Sequence, residues 1–374
     1  MRITLVTGTR PQIIKSVPVL HALAEASIEY EFIHTGQHYD YELAGAFMDE
    51  FNLSPSTNLK IGPGEITSQL ARILEKLGHH LKENAPDYLI VPGDTTSALG
   101  AAIVGFKMGI PVCHLEAGLR RYDFTYQEEL NRRLIDHGSS VLFAPTQTAV
   151  ENLRREDVMG KVYLIGDTMY DLLKDRLYKY TDEKLRSKVL SDLQFPFDEY
   201  SLLTIHRREN VDSRENLTSI ISAINRIDFP IIFPAHPRTQ KQLEAFSLEL
   251  DSSHVHMTDP IPYDEFLSLV VGSKLIISDS GGIQKECYLL NIPLVSLHQR
   301  TEWIETFKAG SNRLTSLDQK MIIKNCQEMY GKKLANDPSV YGDGNAARKI
   351  PAILESNKDF IPTDRQFDSF SSYF

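Results

Sequence analysis

The chain has 374 residues, 42% hydrophobic and 24% charged. That is enough apolar material for about two folded domains, and it rules out a disordered chain. Lys and Arg total 40 against 50 Asp and Glu, a formal net charge of −10; a nucleic-acid binder held by a broad basic face is excluded, whereas a small anionic ligand needs only a local cluster of donors.

Three cysteines, Cys113, Cys287 and Cys326, are too few and too scattered for a disulfide framework or a zinc site, and they fit a reducing cytoplasm. Cys113 and Cys287 lie among apolar residues and read as buried small side chains. The start, MRITLVTGTRPQ, reads as a short strand and turn rather than a signal peptide. No apolar run reaches the roughly 18 residues of a membrane span, so no membrane insertion is expected.

From there strand, turn and helix alternate. RITLVTGT is a strand, PQIIKSVPVLHALAEAS a helix, EYEFIHTG a strand and EITSQLARILEKLGHHLKENA a long amphipathic helix. DYLIVPGD, IPVCHLEAG, SSVLFAPT and KVYLIGD follow as strands, with TTSALGAAIVGFKMG a helix between the first two. After the charged helical stretch MYDLLKDRLYKYTDEKLRSKVLSDLQ the alternation restarts with YSLLTIHRREN, FPIIFPAHP, HVHMTDPI, SKLIISDSGG and IPLVSLHQ. This pattern predicts an α/β fold of two doubly wound parallel sheets, covered by helices, with domains at 1–168 and 169–351. GNAARKIPAILES reads as a late helix with Pro351 in its first turn or at a kink. The tail, about 352–374, is polar and aromatic and is expected to be loosely ordered or to pack back on the first domain.

Three carboxylates narrow the chemistry. Asp94 and Glu116 each follow an apolar run that reads as a buried strand, and the carboxyl ends of parallel strands are where open sheets hold ligands. Glu128 lies just beyond, in YQEELNRR, four residues before Arg132. Acids placed there suit proton transfer better than stability, although Glu128 and Arg132 also fit a plain surface ion pair. GTRPQIIK combines Gly8, a helix opening at Pro11, and the cations Arg10 and Lys15; it reads either as a phosphate-facing turn or as a structural one. In SDSGGIQKE, Ser280, Gly281 and Gly282 end a strand and open a helix, so backbone N–H groups can face an anion, with Glu286 one turn on near ribose hydroxyls. His206 follows a strand beside two arginines, positioned to donate to a leaving diphosphate. His236, followed by Arg238, repeats that arrangement. His34 and His38 lack a completing ligand for a metal site, and His79 and His80 read as solvated.

In this order GTRPQIIK, HTGQHYD, GDTTSALGAA, HLEAGLR, EELNR, HRREN, AHPRT and SDSGGIQKE resemble the non-hydrolysing UDP-N-acetylglucosamine 2-epimerase family, from about residue 3 to about 312. The resemblance implies two Rossmann-like domains facing a cleft (the GT-B type), a homodimer, and a reaction with no cofactor and no metal. UDP would leave C1 as C2 loses its proton, giving a bound 2-acetamidoglucal; a proton then returns to the opposite face and UDP adds back. It assigns Asp94, Glu116 and Glu128 to acid/base work without saying which takes and which gives, and His206 to the departing diphosphate. Arg10, Lys15 and Arg132 become ligand contacts, Ser280, Gly281 and Gly282 the diphosphate turn, and Glu286 the ribose contact. Gln12, Lys285 and the TEW triplet with Trp303 depart from the N-acetylglucosamine branch toward the branch acting on UDP-2,3-diacetamido-2,3-dideoxyglucuronic acid. Gln127 stands where a proline usually precedes the paired acids. Gln37 and His38 lie in a loop that binds a second UDP-sugar in some members. The product would be a manno-configured sugar for surface polysaccharide or glycoprotein glycan. A hydrolysing epimerase, a GT-B glycosyltransferase and a non-catalytic nucleotide-sugar sensor are the competing readings.

Overall fold

Seven parallel strands in one sheet and six in another organise the chain, as seen in a computed structural model that describes residues 1–37, 48, 51 and 53–357. The chain divides into two units: Met1–Leu172 with the segment from Ser339 onward, and Leu173–Pro338.

In the first unit the order is β1 (Arg2–Thr7), α1 (Arg10–Glu25), β2 (Glu29–His34), β3 (Thr57–Asn58), α2 (Ile66–Glu83), β4 (Tyr88–Pro92) and α3 (Thr96–Met108). Then come β5 (Val112–Leu115), α4 (Gln127–Gly138), β6 (Val141–Ala144), α5 (Gln147–Arg155) and β7 (Lys161–Leu164). The strands lie in the order β3-β2-β1-β4-β5-β6-β7, all pairs parallel. Every residue of β4 and β5 is buried, as expected where helices cover both faces of a parallel sheet. The chain reverses direction of growth between β1 and β4, and a ligand crevice forms at such a point. The helix α2 buries Gln69, Ile73, Leu77 and Leu81, a stripe at fourfold spacing, and leaves its other faces polar. Against α2 lies α3, so closely that a Cβ on Gly100 would come within 2.7 Å of Ile73. Thr95 caps α3 by accepting the Ala98 N–H, and Gly109, at φ 70°, closes its other end. His80 on α2 bonds Glu31 at 2.8 Å, so of the two histidines read as solvated only His79 is exposed.

α6 (Thr168–Tyr180) and α7 (Glu183–Asp192) account for the charged stretch between the two alternating halves. The second unit continues with β8 (Ser201–Thr204), α8 (Arg208–Val211), α9 (Arg214–Ile224), β9 (Ile231–Pro234), α10 (Pro237–Phe246) and β10 (Val255–Thr258). Then follow α11 (Tyr263–Gly272), β11 (Ile276–Ser278), α12 (Gly282–Leu289), β12 (Leu294–Ser296), α13 (Ile304–Lys308), β13 (Asn312–Leu314) and α14 (Gln319–Met329). Its parallel sheet runs β10-β9-β8-β11-β12-β13, the same winding, with its own reversal between β8 and β11. Leu203, Ile231, Phe233, Ile277 and Val295 form the core under α9 and α14.

The final described helix, α15 (Ala346–Ser356), belongs to the first unit and packs on α1. Asp171 accepts its first N–H groups, from Ala346 at 3.0 Å and Ala347 at 2.7 Å. Pro351 lies inside this helix rather than in its first turn. The tail from residue 358 lies outside the described residues. All three cysteines are buried and none is in a disulfide. Among the described residues no helix is long and apolar enough to cross a membrane.

Polar side chains fasten the loops to this frame. Gln12, 1% exposed, accepts the Gly8 N–H at 2.8 Å and donates to the Pro92 carbonyl at 2.7 Å, tying the turn after β1 to the end of β4. Asp136 on α4 is fully buried. It bonds His114 on β5 at 2.5 Å, Arg120 at 2.7 Å and the Gly118 N–H at 3.1 Å. Arg120 in turn grips both oxygens of Glu156, at 2.9 and 2.6 Å. Burial opposes ionisation of Asp136 and Glu156, yet their cationic partners outweigh it. His114 and Arg120 hold the Asp136 carboxyl below its ordinary range, and Arg120 with Arg133 does the same for Glu156.

Two outcomes follow. Gln12→Leu strands a buried N–H and a buried carbonyl, and is expected to cost roughly 1–3 kcal/mol, read as a lower urea midpoint for the transition that unfolds the first unit. Because Asp136 and Glu156 have depressed values in the folded chain, their contribution to stability is complete above the ordinary carboxylate range, near pH 4, and drains away as pH falls below it. Urea midpoints measured downward from pH 6 should drop steeply there, and Glu156→Gln should flatten part of that drop.

Candidate active site

The candidate acids of the first unit stand at the carboxyl ends of β4 and β5. Asp94 follows β4 through Gly93, whose φ of 67° favours glycine. A Cβ there would also sit 3.3 Å from the Lys15 Nζ and 3.6 Å from a Glu116 oxygen. The Gly93 N–H donates to the Leu115 carbonyl at 2.9 Å, and its own carbonyl accepts from His114 Nε2 at 2.8 Å. Asp94 is thereby delivered to the rim with its side chain 26% exposed. Its carboxylate takes the Arg132 guanidinium, with Nε at 3.2 Å, and its carbonyl accepts the Asn131 amide at 2.8 Å.

Glu116 has φ 71°, a left-handed conformation that a side chain of this kind adopts only when its surroundings force it. Its carboxylate, 7% exposed, pairs with Lys15 from α1. The cation expected at a phosphate therefore lies on an acid, across 101 residues of sequence. Arg10 opens α1 beside the Gly8 turn.

Arg132 is set by Glu129, which sequence reasoning passed over. Glu129 is fully buried and accepts from the Arg121 N–H at 2.8 Å, Arg132 at 3.0 Å and Arg133 at 3.1 Å. Glu128, its neighbour in the first turn of α4, is exposed. With Tyr126 as N-cap, α4 begins at Gln127 without any side-chain cap or proline. The structure thus gathers Asp94, Arg132, Glu116 and Lys15 along one sheet edge, while Glu128 is exposed one turn before Arg132 on the same helix. Gln37 is buried and accepts from Ser97 at 2.7 Å, whereas His38 lies outside the described residues.

In the second unit the organising residue is Asp279, also missed. It ends β11, is fully buried, and accepts the backbone N–H groups of His206 and Arg207 and the Asn210 amide at 3.0 Å. Its Oδ1 is 3.2 Å from His206 Nδ1, and His206 keeps 49% of its side chain exposed. The only advance sign was an acid at a strand end beside two glycines. Ser280, Gly281 and Gly282 lie one strand over from His206, at the point where this sheet reverses. Neither glycine has an unusual φ, and only Gly281 is short of space: a Cβ on Gly281 would meet Glu302 at 2.9 Å, while one on Gly282 would meet nothing within 4 Å. Glu286 is buried and accepts from the Tyr263 hydroxyl at 2.6 Å. His236 caps α10, its Nδ1 accepting the Arg238 N–H at 3.2 Å, and Arg238 is paired with Asp212. Lys285, 1% exposed, lies 4.1 Å from the centre of the Trp303 ring.

Known proteins resemble this chain over nearly its whole length. Residues 21–355 match the UDP-N-acetylglucosamine 2-epimerase family. A Methanococcus maripaludis protein named UDP-N-acetylglucosamine 2-epimerase homolog is 39% identical over 95% of this chain and all of its own length. A Pseudomonas aeruginosa UDP-2,3-diacetamido-2,3-dideoxy-D-glucuronate 2-epimerase is 34% identical over 95% of this chain and 99% of its own. The Methanocaldococcus jannaschii UDP-GlcNAc 2-epimerase, solved in complex with UDP-GlcNAc and UDP, superposes with a TM-score of 0.88 at 38% identity, covering 95% of this chain and 100% of that one. With two doubly wound sheets, acids at the strand ends of the first and a Gly turn at the reversal of the second, the chain belongs to the UDP-N-acetylglucosamine 2-epimerase family.

Proposed function

We propose that this protein is a UDP-sugar 2-epimerase that interconverts UDP-N-acetylglucosamine and UDP-N-acetylmannosamine without hydrolysis. One observation carries the reading: two carboxylates, Asp94 and Glu116, end neighbouring parallel strands, each beside a cation from a helix. The C2 hydrogen is not next to a carbonyl, so C2 loses its proton only as the C1–O bond to UDP breaks. The bonding pair leaves with UDP, and a C1–C2 double bond remains. Inversion then needs a proton delivered to the opposite face, which calls for acid/base groups on two sides of one carbon. Asp94, Glu116 and Glu128 form that set. Arg132 and Lys15 neutralise the first two until substrate arrives, and Arg10 adds charge beside the Gly8 turn.

The second unit supplies the leaving-group site in this reading. His206, aimed by Asp279, donates to the departing diphosphate, and the Ser280-Gly281-Gly282 turn offers N–H groups to it. Glu286 takes the ribose, and His236 adds a donor. The reaction as proposed uses no cofactor.

One observation favours a second substrate, UDP-2,3-diacetamido-2,3-dideoxyglucuronic acid. Two positions that set the chain apart from the N-acetylglucosamine branch, Lys285 and Trp303, touch each other in a buried pair, so they form one change rather than two. A cation held there suits a sugar that carries an extra carboxylate, and the Pseudomonas relative named for that substrate is 34% identical.

A homodimer and a cytoplasmic location belong to the same reading. Leu130 and Leu134, one turn apart on α4, are each 48% exposed, and Phe124, just before α4 in the chain, is 65% exposed. Such exposed apolar side chains suit burial against a second copy. The buried, unpaired cysteines fit a reducing compartment.

The decisive test incubates the protein with each UDP-sugar in heavy water and follows C2 by NMR. Deuterium at C2 with UDP still on the sugar is expected for one of the two; free sugar would mean hydrolysis, and no exchange with either would end the proposal. Asp94→Asn and Glu116→Gln should each lose about 10²–10⁴-fold in turnover with unchanged circular dichroism. Leu130→Glu with Leu134→Glu should halve the mass seen by light scattering, an outcome ruled out if the wild-type chain is already monomeric.

A further inference from the structure

His114 is fully buried on β5, two residues before Glu116, and takes no part in the proton transfers above. Its Nε2 faces the Gly93 carbonyl at 2.8 Å and its Nδ1 faces Asp136 Oδ1 at 2.5 Å. A carbonyl only accepts, so Nε2 carries a hydrogen, and a hydrogen on Nδ1 satisfies the carboxylate as well. The ring is then a two-ended donor between Asp136 and the peptide unit that delivers Asp94. The other oxygen of Asp136 receives the Gly118 N–H, in the turn that begins at Glu116. One buried pair therefore grips both acid-bearing loops.

Glycine at 93 makes such a grip necessary. A positive φ, with the Lys15 Nζ 3.3 Å from where a Cβ would sit, favours glycine, and glycine leaves the peptide free to rotate. Bonds on both its N–H and its carbonyl cancel that freedom. Stability alone does not call for this pair, because buried ion pairs are often no better than apolar residues of equal volume.

We propose that His114 and Asp136 are positioning residues that set the separation and aim of the Asp94 and Glu116 carboxylates. The proposal rests on the reading of those two as acid/base groups. In His114→Ala, kcat is expected to fall about 10²-fold, the effect of a misplacement of about 1 Å, while KM and the Kd for UDP stay within roughly threefold. His114→Gln retains an amide donor toward Gly93 and should restore about tenfold of that loss. Asp136→Asn should resemble His114→Ala. Wild-type kcat in a folded His114→Ala overturns the proposal. So does a kcat loss matched by an equal loss of UDP affinity, which marks general loosening. Should His114→Ala fail to fold, His114→Gln decides alone: kcat about tenfold below wild type at unchanged KM supports the role, and full kcat overturns it. Asp94→Asn and Glu116→Gln are measured beside these. Full turnover in that pair removes the acid/base reading itself, whereas their inactivity with an unaffected His114→Gln removes only the positioning role.

Discussion

The peptide at Gly93 is the constraint on which the first unit's chemistry rests. Three features meet there: a left-handed φ, a tight approach of the Lys15 Nζ at 3.3 Å to where a Cβ would sit, and bonds at both its N–H and its carbonyl. Together they fix where Asp94 leaves the sheet. Glu116 reaches the same edge through its own strained backbone, one strand away. Neither acid is fixed by its strand alone. Each is fixed by side chains from elsewhere in the unit: Gln12 and Lys15 from α1, Asn131 and Arg132 from α4, and His114 from β5.

Both units use a fully buried carboxylate beneath a strand end to shape the loop above it. Asp136 holds Gly118, Arg120 and His114, and Asp279 holds the His206–Asn210 segment through three different donors. The physical reason is common to both. Loops at the carboxyl edge of a parallel sheet leave N–H groups that the ladder cannot satisfy, and an ionised carboxylate accepts several at once. The desolvation cost of burying it is offset only where several partners converge, so these acids mark the rigid points from which exposed groups such as His206 project.

Much of the frame was legible from the residues. Parallel strands covered on both faces read as unbroken apolar runs, so β4, β5, β8 and β11 stand out, and their carboxyl ends locate Asp94, Glu116, His206 and the Gly281-Gly282 turn. Lys285 and Trp303 looked like separate departures until their contact appeared. His80 looked solvated because periodicity cannot reveal that Glu31 on β2 reaches it. Pro351 was expected in the first turn of its helix or at a kink; it lies inside α15, beyond the first turn.

By itself the sequence determined the alternation, the two windings, the family and the strand ends where acids and glycines emerge, since each of these is written in local pattern and spacing. Only the tertiary structure decided which groups those acids meet. Lys15 finds Glu116 across 101 residues, Gln12 finds Pro92 across 80, and Asp279 finds the backbone of His206 across 73. Such partners are chosen by strand order in the sheet, which brings β1, β4 and β5, and likewise β8 and β11, side by side; residue spacing along the chain carries no record of that adjacency.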